Sequence, residues 1–371
     1  MENTLFTCED HARDHGDDVL LLTGPTDGPE GTLMPRALAG PFRTEIIPSL
    51  QRSIRPWKEY QAHRELVKAL KAFQPDVVHT HTSKAGIVGR AAAASARIPC
   101  VHTVHGSSFH YGQSPIAYHT YVQLERWAAK RTAHFISVCN KMTDIFVEAK
   151  IAPREKFTTI YSGLDVEPFL HPPIARDEMR RKLGLQDNDV VIGKIGRLFP
   201  LKGHEQVIAA AKLIVPTHRN VKFLIVGDGI LRQQYEQDVA SAGLKANFVW
   251  TGMVLPEEIP SLMGAMDIVL HASQWEGLAR VLPQGLIAGK PVVSFTIDGA
   301  PEVVRDGQTG FLAPLNDTQA LANGLVKLIA DPELRAKLGN RGRDLFTDQF
   351  RHQTMSREIR RVYKQVVNQI R

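Results

Sequence analysis

Short apolar, β-branched runs alternate with helix-patterned stretches along almost the whole chain, and this alternation restricts its fold more than any other feature. Such a rhythm builds a parallel sheet, because strands apolar on both faces need helices covering each side. Strands are expected at 18–23 (DVLLLT), 44–47, 76–79, 99–104, 134–138 and 157–160, and again at 190–195 (VVIGKI), 221–226, 247–251, 267–271, 291–295 and 310–313. Between the two series, FLHPPIA at 169–175 carries two prolines that fix φ and remove backbone donors. The chain therefore reads as two α/β domains, 1–172 and 173–349, divided near Pro172. A doubly wound domain normally opens on a central strand and a glycine turn. Here the helical stretch 2–15 comes first and leads through Gly16 into DVLLLT. The expectation is that the first strand of the N-terminal domain is missing and that Met1 corresponds to an internal residue of a longer protein.

Composition narrows the classes. No run of about 18 apolar residues exists that would span a bilayer. Cys8, Cys100 and Cys139 are far apart and form no Cys-x-x-Cys pair, which argues for buried free thiols rather than a zinc or disulfide scaffold. The acidic start lacks the basic end and apolar core of a secretory signal, so the cytoplasm is the expected compartment. The formal charge is +6, with −6 over residues 1–50 and +6 over 51–100. That balance suggests an anionic partner. Nucleic acid is not expected, since no aromatic-interleaved basic repeat or finger spacing is present.

Two stretches carry chemistry. GRLFPLKG at 196–203 follows the strand VVIGKI and precedes the helical HEQVIAAAKLI. A strand, a glycine turn and a helix N-terminus make an anion site, because free N–H groups and the helix dipole both face it. Arg197 and Lys202 add two cations there, enough to neutralise a diphosphate without a metal; the alternative is a solvated loop with two surface cations. Glu276, in ASQWEGLARVLP at 272–283, sits at the carboxyl end of a strand, where open α/β sheets bind ligands. Gly277 and Leu278 are expected to open a helix whose N–H groups hold a phosphate or sugar oxygen; the bland reading makes Glu276 a helix-terminal acid. Asp187-Asn188-Asp189 precedes a strand at its amino end, so a turn is expected rather than a metal site. His79, His81, Ser83 and Lys84 are expected at the mouth of a cleft, and His102 in the core or just behind the site.

The ordered motifs HTVHG at 102–106, YSGLD at 161–165, GRLFPLKG, VGDG at 226–229, WEGLARVLPQGLIAGKPVV at 275–293, GAPEVV at 299–304 and DGQTGFL at 306–312 resemble the retaining glycosyltransferases of family 4. The resemblance runs from about Glu2 to Phe350. It implies the GT-B fold, two Rossmann-like doubly wound domains facing across a cleft, and transfer of a sugar from a nucleotide diphosphosugar (UDP-, GDP- or ADP-linked) with retained anomeric configuration. No metal or other cofactor is implied. Arg197 and Lys202 match the family's diphosphate pair, Glu276 the glutamate on a donor-sugar hydroxyl, and His105 the histidine at the reaction centre. Gly227, Gly277 and Leu278 join the donor contacts. Gln284 departs from the pattern, since the family's second glutamate stands there and holds the ribose hydroxyls. A Gln carbonyl accepts one such bond while its NH₂ only donates.

The resemblance also implies a glycan or lipid-linked acceptor in polysaccharide or glycolipid synthesis, and terminal helices, 350–371, crossing back to the first domain. Residues 52–71 carry six basic and two acidic groups with Trp57, Leu66, Val67 and Leu70. They read either as an amphipathic surface for an anionic membrane, placing the protein at its inner face, or as a solvated helix. Two rival functions share the architecture: a nucleotide-sugar 2-epimerase and a noncatalytic nucleotide-sugar-binding protein.

Overall fold

The structure, a computed structural model, describes residues 2–25, 33–51, 53–110 and 112–369. Met1 and Arg52 lie outside them. The chain divides into two units, Met1–Leu164 with Arg351–Arg371, and Asp165–Phe350. The division precedes Pro172. The helix Glu167–Leu170 already packs on the helices Ile259–Ala265 and Val281–Ile287, and the Pro172 ring lies against Gly264, so this proline is anchored inside the second unit instead of spanning a free linker.

In the first unit the strands are β1 (Leu20–Thr23), β2 (Arg43–Ile46), β3 (Val78–His81), β4 (Cys100–Val104), β5 (His134–Ser137) and β6 (Phe157–Thr159). All pairings are parallel, in a two-stranded sheet β1-β2 and a four-stranded sheet β3-β4-β5-β6. Among the described residues no strand joins these sheets. The helix His352–Asn368 supplies Met355, Ile359, Val362 and Val366 to a core with Phe6, Val101, Ile136 and Ile160. It is tied to the first helix, Glu2–His15, by Asp10, whose carboxylate accepts from Ser356 Oγ at 2.6 Å and lies 2.9 Å from His352 Nδ1. The three cysteines are buried and free.

The helix Pro56–Phe73 corrects the reading of 52–71. Leu66 and Leu70 are buried against Ile47, Val88 and Ala92, and Val67 packs on the same cluster, so the apolar stripe at i, i+4 belongs to the core. Trp57, by contrast, is 67% exposed. No helix of the described residues is long and apolar enough to cross a membrane.

The second unit holds β7 (Val190–Ile195), β8 (Val221–Val226), β9 (Phe248–Gly252), β10 (Ile268–His271), β11 (Val292–Phe295) and β12 (Gly310–Ala313) in one parallel sheet, ordered β12-β11-β10-β7-β8-β9. The strand order reverses between β7 and β10. That point is the topological switch of a doubly wound sheet, where the loops leaving the two strands diverge and open a crevice at their carboxyl ends.

Candidate active site

Both loops singled out from the sequence emerge at this switch point, one after β7 and one after β10. Glycines let them approach. A Cβ on Gly203, which caps the helix His204–Ile214 at φ +73°, would stand 1.8 Å from the Ala272 carbonyl oxygen. The Gln274 N–H donates to the Leu201 carbonyl at 2.8 Å, joining the two loops. Gly227 and Gly229 have the same kind of role, since Cβ atoms there would lie 2.3 Å from Gly196 O and 2.4 Å from Leu198 O. The Gly227 N–H is taken by Gly252 O at 3.1 Å, so this glycine supports the loop and is not a donor to phosphate.

Across the joined loops Lys202 forms an ion pair with Glu276, each side chain about a quarter exposed. Arg197 is exposed on the same loop, its guanidinium 5.2 Å from the Phe199 ring centroid. Two cations and one carboxylate thus stand at the mouth of the crevice, a constellation able to hold a diphosphate and a sugar hydroxyl together. Asp298, which the sequence reading missed, accepts the Glu276 N–H at 3.0 Å, and the Gly299 N–H donates to Gly277 O at 3.0 Å. This sideways tie corrects another expectation. The helix begins at Val281, not at Gly277, and residues 277–280 form a bend whose backbone is held to the 298–299 loop. Gln284 lies within that helix, half-buried. The signal for Asp298 was its place just before GAPEVV, a motif whose first glycine makes the contact.

Behind the loops the site is lined by buried nitrogen groups. Lys194 on β7 is 1% exposed, and burial pushes its ammonium down to about 8, an effect the Glu276 carboxylate opposes. His271, at the end of β10, is 3.2 Å from Ser294 Oγ through Nδ1, while its buried Nε2 has no partner. His204 is 3.1 Å from the Arg197 carbonyl through Nε2, and its Nδ1 is likewise orphaned. Burial lowers both rings, His204 to about 3, so they are neutral at physiological pH.

In the first unit the histidines separate into two roles. His79 sits between Tyr363 OH at 2.5 Å and Thr103 Oγ1 at 2.7 Å, and burial lowers it to about 3, which makes it a structural hydrogen-bonding residue and not one at a cleft mouth. His81 Nδ1 meets His105 Nε2 at 3.1 Å with stacked rings, so His105 is oriented by a neighbour that burial keeps neutral. His102 is buried on Thr80 at 2.9 Å. Lys84 is spent as a staple: it donates to the Gln51 and Ser53 carbonyls and pairs with Glu59. Ser83 opens a helix, Ser83–Ala96. Asp189 closes a turn by accepting the Gln186 N–H at 2.8 Å, and among the described residues no group of three His, Cys, Asp or Glu side chains is arranged to hold a metal.

The second unit is a six-stranded parallel doubly wound sheet with two cations and a carboxylate at its switch point, and the first unit is also built on parallel strands; comparison with known proteins places this combination. Residues 175–345 match the family described as "Glycosyl transferases group 1" and residues 1–168 match "Glycosyltransferase Family 4". An Escherichia coli UDP-Gal:alpha-D-GlcNAc-diphosphoundecaprenol alpha-1,3-galactosyltransferase is 34% identical over 300 residues, covering 79% of this chain and 76% of that protein. The capsular polysaccharide biosynthesis glycosyltransferase CapM of Staphylococcus aureus is 26% identical, covering 86% and 84%. Among solved structures, Anabaena HepE in complex with UDP-glucose matches with a TM-score of 0.78 and 26% identity over 97% of this chain and 94% of that one. The fold is GT-B. The chain belongs to the family 4, group 1 glycosyltransferases.

Proposed function

We propose that this glycosyltransferase moves a hexose from a UDP-sugar to a glycan or lipid-linked acceptor, with retention, in polysaccharide or glycolipid synthesis. The observation that carries the reading is the pairing of Lys202 with Glu276 at the switch point, beside Arg197. A diphosphate takes the two cations, which frees the Glu276 carboxylate to accept a sugar hydroxyl. Gln284 accepts one ribose hydroxyl bond. In the step itself the acceptor oxygen attacks the anomeric carbon from the face the diphosphate leaves, the bond to the diphosphate oxygen breaks, and the acceptor proton passes to that oxygen. Arg197 and Lys202 stabilise the charge developing there. His105 is assigned to the sugar by the family resemblance. The UDP and lipid-linked choices draw on HepE, crystallised with UDP-glucose, and on the E. coli relative, whose name specifies a diphosphoundecaprenol acceptor.

The test is nucleotide release from UDP-, GDP- and ADP-sugars with a GlcNAc-diphosphate-lipid acceptor, with proton NMR of the product's anomeric centre. A UDP-sugar-specific product of retained configuration supports the reading. An epimerised free nucleotide sugar formed without acceptor overturns it, as does binding without turnover. Membrane attachment at the inner face belongs to the same proposal, now through the exposed Ile54, Trp57 and Tyr60 flanked by Arg55 and Arg64.

A further inference from the structure

Lys194 is the one lysine among the buried side chains described, and nothing in a parallel β-strand calls for a charge there. The other fully buried cations each have a carboxylate, Arg90 with Glu125 at 2.8 Å and Arg180 with Asp267 at 2.6 Å. Lys194 has no such ion pair among the described residues. Its Nζ lies 3.9 Å from where a Cβ on Gly196 would stand, so the ammonium sits directly beneath the start of the 196–203 loop. Burying an unpaired cation is costly, and such a group is retained where a site uses its charge.

The use follows from what happens to Glu276. With no donor bound, Lys202 balances this carboxylate. A diphosphate that draws Lys202 and Arg197 to itself brings new negative charge beside a half-buried carboxylate and removes its partner. The orphaned nitrogens of His271 and His204 supply no charge, since both rings are neutral. We propose that Lys194 is a positioning residue of the donor site, whose buried charge beneath Gly196 holds the Glu276 carboxylate in place on the sugar once the diphosphate has taken Lys202. This rests on the donor-site reading above.

The titratable groups around Lys194 are Lys202 and Glu276 on the two loops, Glu205 and His204 on the following helix, and His271 on β10. Since Lys194 is charged below about 8 and neutral above it, affinity for the sugar-bearing donor falls as pH rises through that value. The experiment is calorimetric binding of UDP and UDP-glucose from about pH 7 to about pH 9.5, with Lys194→Met alongside the wild type. The expected result is that wild-type affinity for UDP-glucose drops by about tenfold across the range, more than that for UDP, and that Lys194→Met binds UDP-glucose weakly at all pH values with a flat profile. A folded Lys194→Met with the wild-type constants and profile overturns the proposal. If that variant does not fold, the wild type and Glu276→Gln decide: a flat wild-type profile, or a profile unchanged when the Glu276 charge is removed, overturns it equally. Failure of the wild type to bind either nucleotide at any pH removes the donor-site reading, and Lys194's role with it.

Discussion

Arg197 and Gly203 illustrate two ways one residue serves the same site. In the proposed step Arg197 contributes charge at the point where negative charge develops, so Arg197→Ala is expected to lower turnover by roughly a hundredfold or more with the melting temperature unchanged. Steady-state kinetics beside a thermal melt checks this, and retained turnover removes Arg197 from the mechanism. Gly203 contributes only the absence of a side chain. A Cβ there meets the Ala272 carbonyl at 1.8 Å in a backbone with φ +73°, so Gly203→Ala pushes the two loops apart. The expected outcome is a loss of stability of about 2 kcal/mol together with weakened UDP binding, read by denaturant titration and calorimetry. On the proposed placement of Gln284 at the ribose, a carboxylate there accepts two ribose bonds in place of one, so Gln284→Glu is expected to tighten donor binding or leave it unchanged; a large loss shows the position is not at the ribose.

At the level of elements, the helix Pro56–Phe73 shows why a pattern legible in sequence can be assigned to the wrong surface. Its amphipathic period was visible, but a period does not say whether the apolar side meets a core or a membrane. Ile47, Val88 and Ala92 decide it by occupying that side. Leu66→Ala is therefore expected to cost about 2–5 kcal/mol of stability without affecting vesicle binding. Trp57→Ala is expected to do the reverse, leaving the melt unchanged and reducing co-sedimentation with anionic phosphatidylglycerol vesicles. The strands were simpler to read. All twelve emerged close to their expected places, with β3 displaced toward His81; the reading was most direct where apolar runs such as VVIGKI and VKFLIV are buried on both faces of a parallel sheet. The helix after Glu276 was misplaced because Asp298 and Gly299, more than twenty residues downstream, hold its first turn open.

Over the whole molecule, both units hold imidazoles that desolvation keeps neutral: the half-buried His79 and His81 and the buried His102 in the first, the buried His204 and His271 in the second. Their folded values lie below the 6.5 of an exposed ring, so the unfolded chain binds more protons between that value and the folded ones. Stability is thus full above about pH 6.5 and is lost as pH falls toward the folded values. Calorimetric melting between about pH 7.5 and about pH 5 is expected to show a falling melting temperature; an unchanged one contradicts the neutral burial of these rings.

The alternation of strands and helices, the restart after Pro172, and the motifs around Arg197, Lys202 and Glu276 were enough to determine the two-unit α/β fold and the family, because such features are local in the chain. What required tertiary structure was everything set by distance between remote segments: Lys202 against Glu276, Asp298 on the Glu276 backbone, Gly227 packed under Gly196, Lys84 and His79 diverted to structural bonds, and Lys194 beneath the loop. Side-chain roles depend on which groups burial brings within a few ångströms, and spacing along the chain does not encode that.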